Sequence, residues 1–82
     1  MEKNEITKKV IALTAQKLSA KTQTISEQTS FEEDLNADSI DIADFIMELE
    51  NEFQIDIPDS DLEKIRTVAD AVNYVQIKME KP

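Results

Sequence analysis

The sequence predicts an all-α fold, a four-helix bundle with a short third helix and a long loop between helices 1 and 2. Three observations predict it. Apolar residues recur three and four positions apart over several stretches, the spacing of one helix face. Helix-start signals stand at Asp38-Ser39, at Pro58 and at Thr67. Glycine is absent and proline occurs only at Pro58 and Pro82, and no repeat, low-complexity tract or linker interrupts the chain. One domain over residues 1–82 is expected, ordered from near Glu2 to about Ile77 with a fraying tail.

The first helix is expected over residues 2–18. Ile6, Val10 and Leu13, joined by Ile11 and Leu18, recur at helical spacing with Lys8, Lys9 and Lys17 between them. Residues 19–36 follow, rich in Ser, Thr and Gln. A loop that long in a compact domain is functional or well anchored, and Ile25, Phe31 and Leu35 are its expected anchors. The second helix should run over residues 39–53, capped by Asp38 or Ser39, with Asp41 favouring its positive end. Pro58 opens a short third helix over residues 59–65. Thr67 with Asp70 three residues on resembles a capping box. Val68, Val72 and Val75, with Ala71, give the last helix one apolar face.

Composition narrows the function. A chain of 82 residues supports one modest core, which favours a binding or carrier role over an enzyme with a buried cleft. It has no Cys, hence no disulfide, Cys-based metal site or thiol nucleophile of its own, and no His, the commonest general base. No apolar run is long enough to span a bilayer and no signal peptide opens the chain, so a cytoplasmic protein is expected. The net charge of -9 is unevenly spread: between Lys21 and Lys64 there is no base, and 14 of the 18 acids lie there. Nucleic acid and anionic membrane are therefore poor partners. A basic protein surface is the natural complement, although a solvated acidic face that only aids solubility accounts equally well for the charge.

The second helix has two apolar faces. At about 100° per residue, Ile42, Phe45, Ile46, Leu49 and Phe53 form a core stripe, while Ile40 and Met47 fall on the opposite side with Asp44 and Asn51. Glu48 and Glu50 flank that outer face. An exposed apolar pair inside an acidic ring suits a protein contact surface, although two exposed apolar residues are also ordinary on any small protein.

The stretch FEEDLNADSIDIADFIMELENEF, residues 31–53, closely resembles acyl carrier proteins of fatty acid synthesis, and its centre, Asp38-Ser39-Ile40, is similar to the family's Asp-Ser-Leu attachment motif. The resemblance continues through IDIPDSDLEKIRTVADAVNYV, residues 55–75, and so covers nearly the whole chain. It implies a non-catalytic carrier with a covalent 4'-phosphopantetheine arm on Ser39. A phosphopantetheinyl transferase (holo-carrier synthase) would take that arm from coenzyme A, with magnesium, and join it through a phosphodiester. The terminal thiol then holds acyl groups as thioesters, which gives thiol chemistry to a chain without Cys. Such a phosphodiester would face the positive end of the helix, while Asp38 and Asp41 repel it; the arm is expected to be tethered covalently and not held by phosphate affinity.

The same resemblance implies partner recognition at Asp38, Ile40, Asp41, Asp44, Met47 and Glu50, by acyl-transferring enzymes with basic surfaces that meet a monomeric carrier. It also implies an acyl pocket lined by Phe31, Phe45, Ile46, Leu49, Ile57, Leu62, Ile65 and Ala71, with Ile42, Phe45 and Leu62 bulkier than is common. The sequence departs from the pattern at Asn36 and at Leu18-Ser19-Ala20, where the family commonly has Gly, and at Asn51, where an acid is frequent. Two other readings stand beside this one: a carrier for polyketide, aminoacyl or D-alanyl cargo, and an acidic adaptor with Ser39 unmodified. A calcium loop starting at Asp34 fails, because Ser39 stands where Gly is needed and Phe45 where a bidentate Glu is needed.

Overall fold

The periodic apolar positions become three buried stripes. In this computed structural model, which describes residues 2–80, they lie on α1 (Lys3–Lys17), α2 (Ser39–Phe53) and α3 (Val68–Glu80). Ile6, Val10 and Leu13 of α1 meet Phe45, Ile46, Leu49 and Phe53 of α2 and Val68, Ala71, Val72 and Val75 of α3 in one core. Each fully buried large side chain contributes about 1.5–3 kcal/mol relative to exposure. The ion pairs Lys9–Glu52 (3.1 Å) and Lys17–Glu48 (3.6 Å) run in opposite order along α1 and α2, so these helices are antiparallel. Both pairs are substantially exposed and add little stability. The last helix runs to Glu80, three residues beyond the expected limit at Ile77; residues 81 and 82 lie outside the described part of the chain.

The long loop is anchored as expected by Ile25 and Phe31, which are buried, while Leu35 is partly buried against the core. Its stronger attachment is through the backbone. Phe31 N–H donates to the Arg66 carbonyl (3.0 Å), Val68 N–H to the Thr29 carbonyl (3.1 Å) and Ala69 N–H to the Glu27 carbonyl (2.8 Å). Ser30 and Thr67 form an isolated antiparallel bridge, and the described residues contain no strand. Thr67 and Asp70 close the expected capping box: Asp70 N–H donates to Thr67 Oγ1 and Thr67 N–H to Asp70 Oδ2, both at 3.2 Å.

Among the described residues, three with a Cβ occupy the left-handed region: Ser19 (φ 53°), Asn36 (φ 54°) and Gln54 (φ 55°). Asn36, and the stretch Leu18-Ser19-Ala20 that holds Ser19, are where the resemblance led one to expect glycine. Each costs roughly 1–2 kcal/mol relative to right-handed backbone, least for Asn.

The short third helix stands where it was expected. It is a 3-10 helix, Asp59–Lys64, after a 3-10 turn at Thr22–Thr24 earlier in the chain. Asp61 N–H reaches the Pro58 carbonyl (2.9 Å) and Ile65 N–H the Leu62 carbonyl (3.1 Å), both three residues back. Six residues are too few to offset the nucleation cost of an α-helix, and none of them is fully buried. What ties this helix to α3 is a side chain: the Tyr74 hydroxyl donates to Asp61 Oδ2, and Lys64 Nζ stands 3.2 Å from Asp61 Oδ1. Lys78 Nζ lies 5.5 Å from the centre of the Tyr74 ring.

Partial burial, then the hydrogen bond to Asp61, push the Tyr74 phenol up to about 12. The bonds from Tyr74 and Lys64 hold the Asp61 carboxyl below the ordinary carboxylate range. Tyr74, raised in the folded state, stabilises fully below its unfolded value near 10 and loses that contribution as pH climbs towards 12. Asp61, depressed, stabilises above its unfolded value near 4 and loses the contribution as pH falls through its lower folded one. Tyr74 is the only tyrosine and the chain has no Trp, so tyrosinate absorbance reports it directly. The expected midpoint is near 12 in the folded protein and near 10 in denaturant. Asp61→Asn should lower the folded midpoint only partway, because burial is the larger cause. A folded-state midpoint at 10 would show that neither the burial of Tyr74 nor its contact with Asp61 holds in solution.

Candidate functional site

Ser39 is the first residue of α2 and is exposed. Of the two capping residues the sequence allows, the structure uses Asp38. Its Oδ1 accepts Asp41 N–H (2.9 Å), and Asp41 Oδ2 accepts Asp38 N–H (3.3 Å), a capping box built from two aspartates. Such a cap contributes about 1 kcal/mol. The Ser39 hydroxyl is thus spared from capping, and a plain capping role no longer accounts for this serine.

Ser39 lines an open cleft of about 590 Å³ between the start of α2, the loop around Phe31 and the short helix. Phe31, Ile42, Leu62 and Ile65 supply its apolar wall; Ser30, Glu32, Glu33, Glu63 and Arg66 supply polar groups. Three of the eight residues expected to form an acyl pocket, Phe31, Leu62 and Ile65, are therefore on the cleft. The other five, Phe45, Ile46, Leu49, Ile57 and Ala71, are buried in the core and do not line it; Phe31 and Ile65 belong to the core as well as to the cleft wall. The Phe45 ring meets that of Phe31 at 4.9 Å between centroids, tilted by 50°. Ile42, read from periodicity as part of the core stripe, is only partly buried and faces the cleft.

The outer face of α2 is as its periodicity predicts. Ile40 is 73% and Met47 59% exposed, with Asp44 and Asn51 exposed beside them. The remaining acids have structural tasks. Asp38 and Asp41 cap the helix. Glu50 is partly buried, and its Oε2 accepts Ile57 N–H (2.9 Å), fastening the chain after Gln54 turns it out of α2. Glu48 pairs with Lys17. Among the described residues no three His, Cys, Asp or Glu side chains gather to hold a metal ion, and no helix is long and apolar enough to cross a membrane. Arg66 and the glutamates of the cleft escaped sequence reasoning, because the loop and the short helix meet through tertiary contacts that leave no periodic trace.

An exposed serine without a structural duty, at the rim of a cleft with an apolar wall, fits a covalently tethered flexible arm. A family model described as the phosphopantetheine attachment site matches residues 8–75. The chain belongs to that family, whose domain is the attachment site of this covalent prosthetic group. Within it, the chain is 46% identical over 76 residues to the acyl carrier protein of Lactobacillus acidophilus, spanning 93% of this chain and 95% of that one. Among solved structures it is similar to an acyl carrier protein of Enterococcus faecalis (TM-score 0.80, 37% identity, 95% of this chain and 99% of that one). It is also similar to the acyl carrier protein of Thermotoga maritima (TM-score 0.80, 35% identity, 98% of this chain and 93% of that one).

Proposed function

We propose that this chain is a discrete acyl carrier, with Ser39 as the attachment point of its phosphopantetheine arm. The observation that carries the reading is the position of Ser39, exposed at the head of α2 and on the cleft, while Asp38 and Asp41 do the capping. In the loading step the Ser39 hydroxyl gives up its proton to a base and its oxygen bonds to phosphorus. The pyrophosphate link of coenzyme A breaks, and the adenosine-bearing half leaves. Once attached, the arm supplies a thiol that holds acyl groups as thioesters. The chain's own residues then position and shelter: Phe31, Ile42, Leu62 and Ile65 offer an apolar surface beside the attachment point. That surface favours acyl over aminoacyl or D-alanyl cargo.

The outer face of α2 is the expected docking surface for a phosphopantetheinyl transferase and for acyl-transferring biosynthetic enzymes. Asp44 would steer a basic partner, and Ile40 and Met47 would supply the short-range contact. The work of such a carrier belongs to the cytoplasm, among soluble enzymes. Intact mass tests the reading: incubation with coenzyme A, magnesium and a broad-specificity transferase should add one phosphopantetheine. An unchanged mass, under conditions that load a known carrier, refutes it.

A further inference from the structure

The root of the arm would sit in a strongly acidic place. At the start of α2 two carboxylates cap each other's backbone, Asp38 Oδ1 taking the Asp41 N–H and Asp41 Oδ2 the N–H of the cap residue Asp38. The helix end, which would otherwise attract a phosphate, is thus already occupied by two negative charges. Glu32, Glu33 and Glu63 line the same cleft. One cation lines it with them: Arg66, the only arginine in the chain.

Arg66 is held in place by its backbone. Its carbonyl accepts Phe31 N–H (3.0 Å) and its N–H donates to Asp70 Oδ2 (3.1 Å). Its side-chain Nε donates to the Glu63 carbonyl oxygen (3.3 Å), a backbone acceptor. Among the described residues it forms no ion pair with any carboxylate, although three glutamates share its cleft. The two terminal nitrogens of the guanidinium are left for another anion, and their planar fork matches phosphate oxygens.

We propose that Arg66 is the counterion of the phosphodiester formed on Ser39. This rests on the reading of Ser39 as the attachment residue. It departs from the expectation that covalent attachment alone places the arm. The pair draws the root of the arm to the side of the cleft formed by the short helix, over Leu62 and Ile65, so that cargo starts at the apolar wall and not in open water. Because Arg66 is exposed, the pairing is modest and screened by salt.

The test uses the full chain before and after loading, with intact mass recorded first. A single arginine gives a single arginine Nε–H signal in a nitrogen–proton NMR spectrum. That signal should move on loading, should stay moved when the thiol carries a neutral acetyl group, and should return towards its unloaded position in concentrated salt. In melting experiments, the gain in Tm on loading should be smaller in Arg66→Gln than in the wild type by about 1–6 °C, the size of an exposed ion pair in a domain this small. Arg66→Lys should recover part of it. Comparing loaded with unloaded protein within each variant removes any effect of the substitution on folding itself. A protein that accepts no arm overturns the reading of Ser39, and this proposal with it. A protein that accepts the arm with no movement of the signal and equal gains in all three variants overturns the proposal alone. Movement that appears only with a carboxylated acyl group such as succinyl also overturns it, because Arg66 would then be reading the cargo.

Discussion

Ser39→Ala should accept no phosphopantetheine and should melt within about 0.5 kcal/mol of the wild type. Both halves follow from the first turn of α2. The substitution removes the only oxygen proposed to receive the arm. It does not touch the cap, which is the reciprocal pair Asp38 and Asp41, and alanine is a better helix former than serine by a few tenths of a kcal/mol. Asp38→Ala is the contrasting variant. It leaves the hydroxyl in place, loses the cap and should cost about 1 kcal/mol. Intact mass and urea denaturation separate the two. A Ser39→Ala chain that still gains the arm places the attachment elsewhere; one that unfolds like Asp38→Ala gives Ser39 a structural task the geometry does not contain.

Leu49→Ala should destabilise by about 2–5 kcal/mol, while Met47→Ala, two residues away on the same helix, should stay within about 0.5 kcal/mol of the wild type. Leu49 is 0% exposed and belongs to the core; Met47 is 59% exposed. A domain of this length has roughly 4–12 kcal/mol of stability in total, so the loss at Leu49 is a large share and the midpoint of urea unfolding should drop visibly. Met47→Ala should instead weaken binding to a transferase, chiefly by faster dissociation, as expected for a buried apolar contact. Equal loss of stability in the two variants would show that α2 does not have one buried and one exposed apolar face.

Much of this was legible in the sequence where the signal is local. Ile6, Val10 and Leu13, or Val68, Val72 and Val75, point to the core because a helix repeats every 3.6 residues and each row is covered by its neighbours. The box of Thr67 with Asp70 was readable because caps act over three residues, whereas the choice of Asp38 over Ser39 as the cap of α2, and its pairing with Asp41, came from the structure. Ser39, the proposed attachment residue, was singled out by a motif in its helical context. What stayed hidden is non-local. Glu50 reaching Ile57 N–H, Tyr74 reaching Asp61, and the backbone bonds between the loop and the start of α3 join residues by tertiary geometry alone. The cleft suffers from the same blindness: the resemblance named eight apolar residues near α2, but which of them line the cleft depends on how the loop and the short helix meet α2. The short helix was placed correctly, but its 3-10 character was not readable, since Pro58 announces a helical start without fixing whether the bonds span three or four residues.

The packing of α1 has a consequence for how the protein is made. Its buried stripe meets α3 more extensively than it meets α2, and the loop around Phe31 is hydrogen-bonded to the segment from Arg66 to Ala69. Formation of α1 in place thus waits for α3. A chain that has emerged only as far as α2 leaves Ile6 and Val10 without the α3 side of their cover and the loop without its backbone partners. Ordering is therefore cooperative, set off by arrival of α3 and not built up piece by piece.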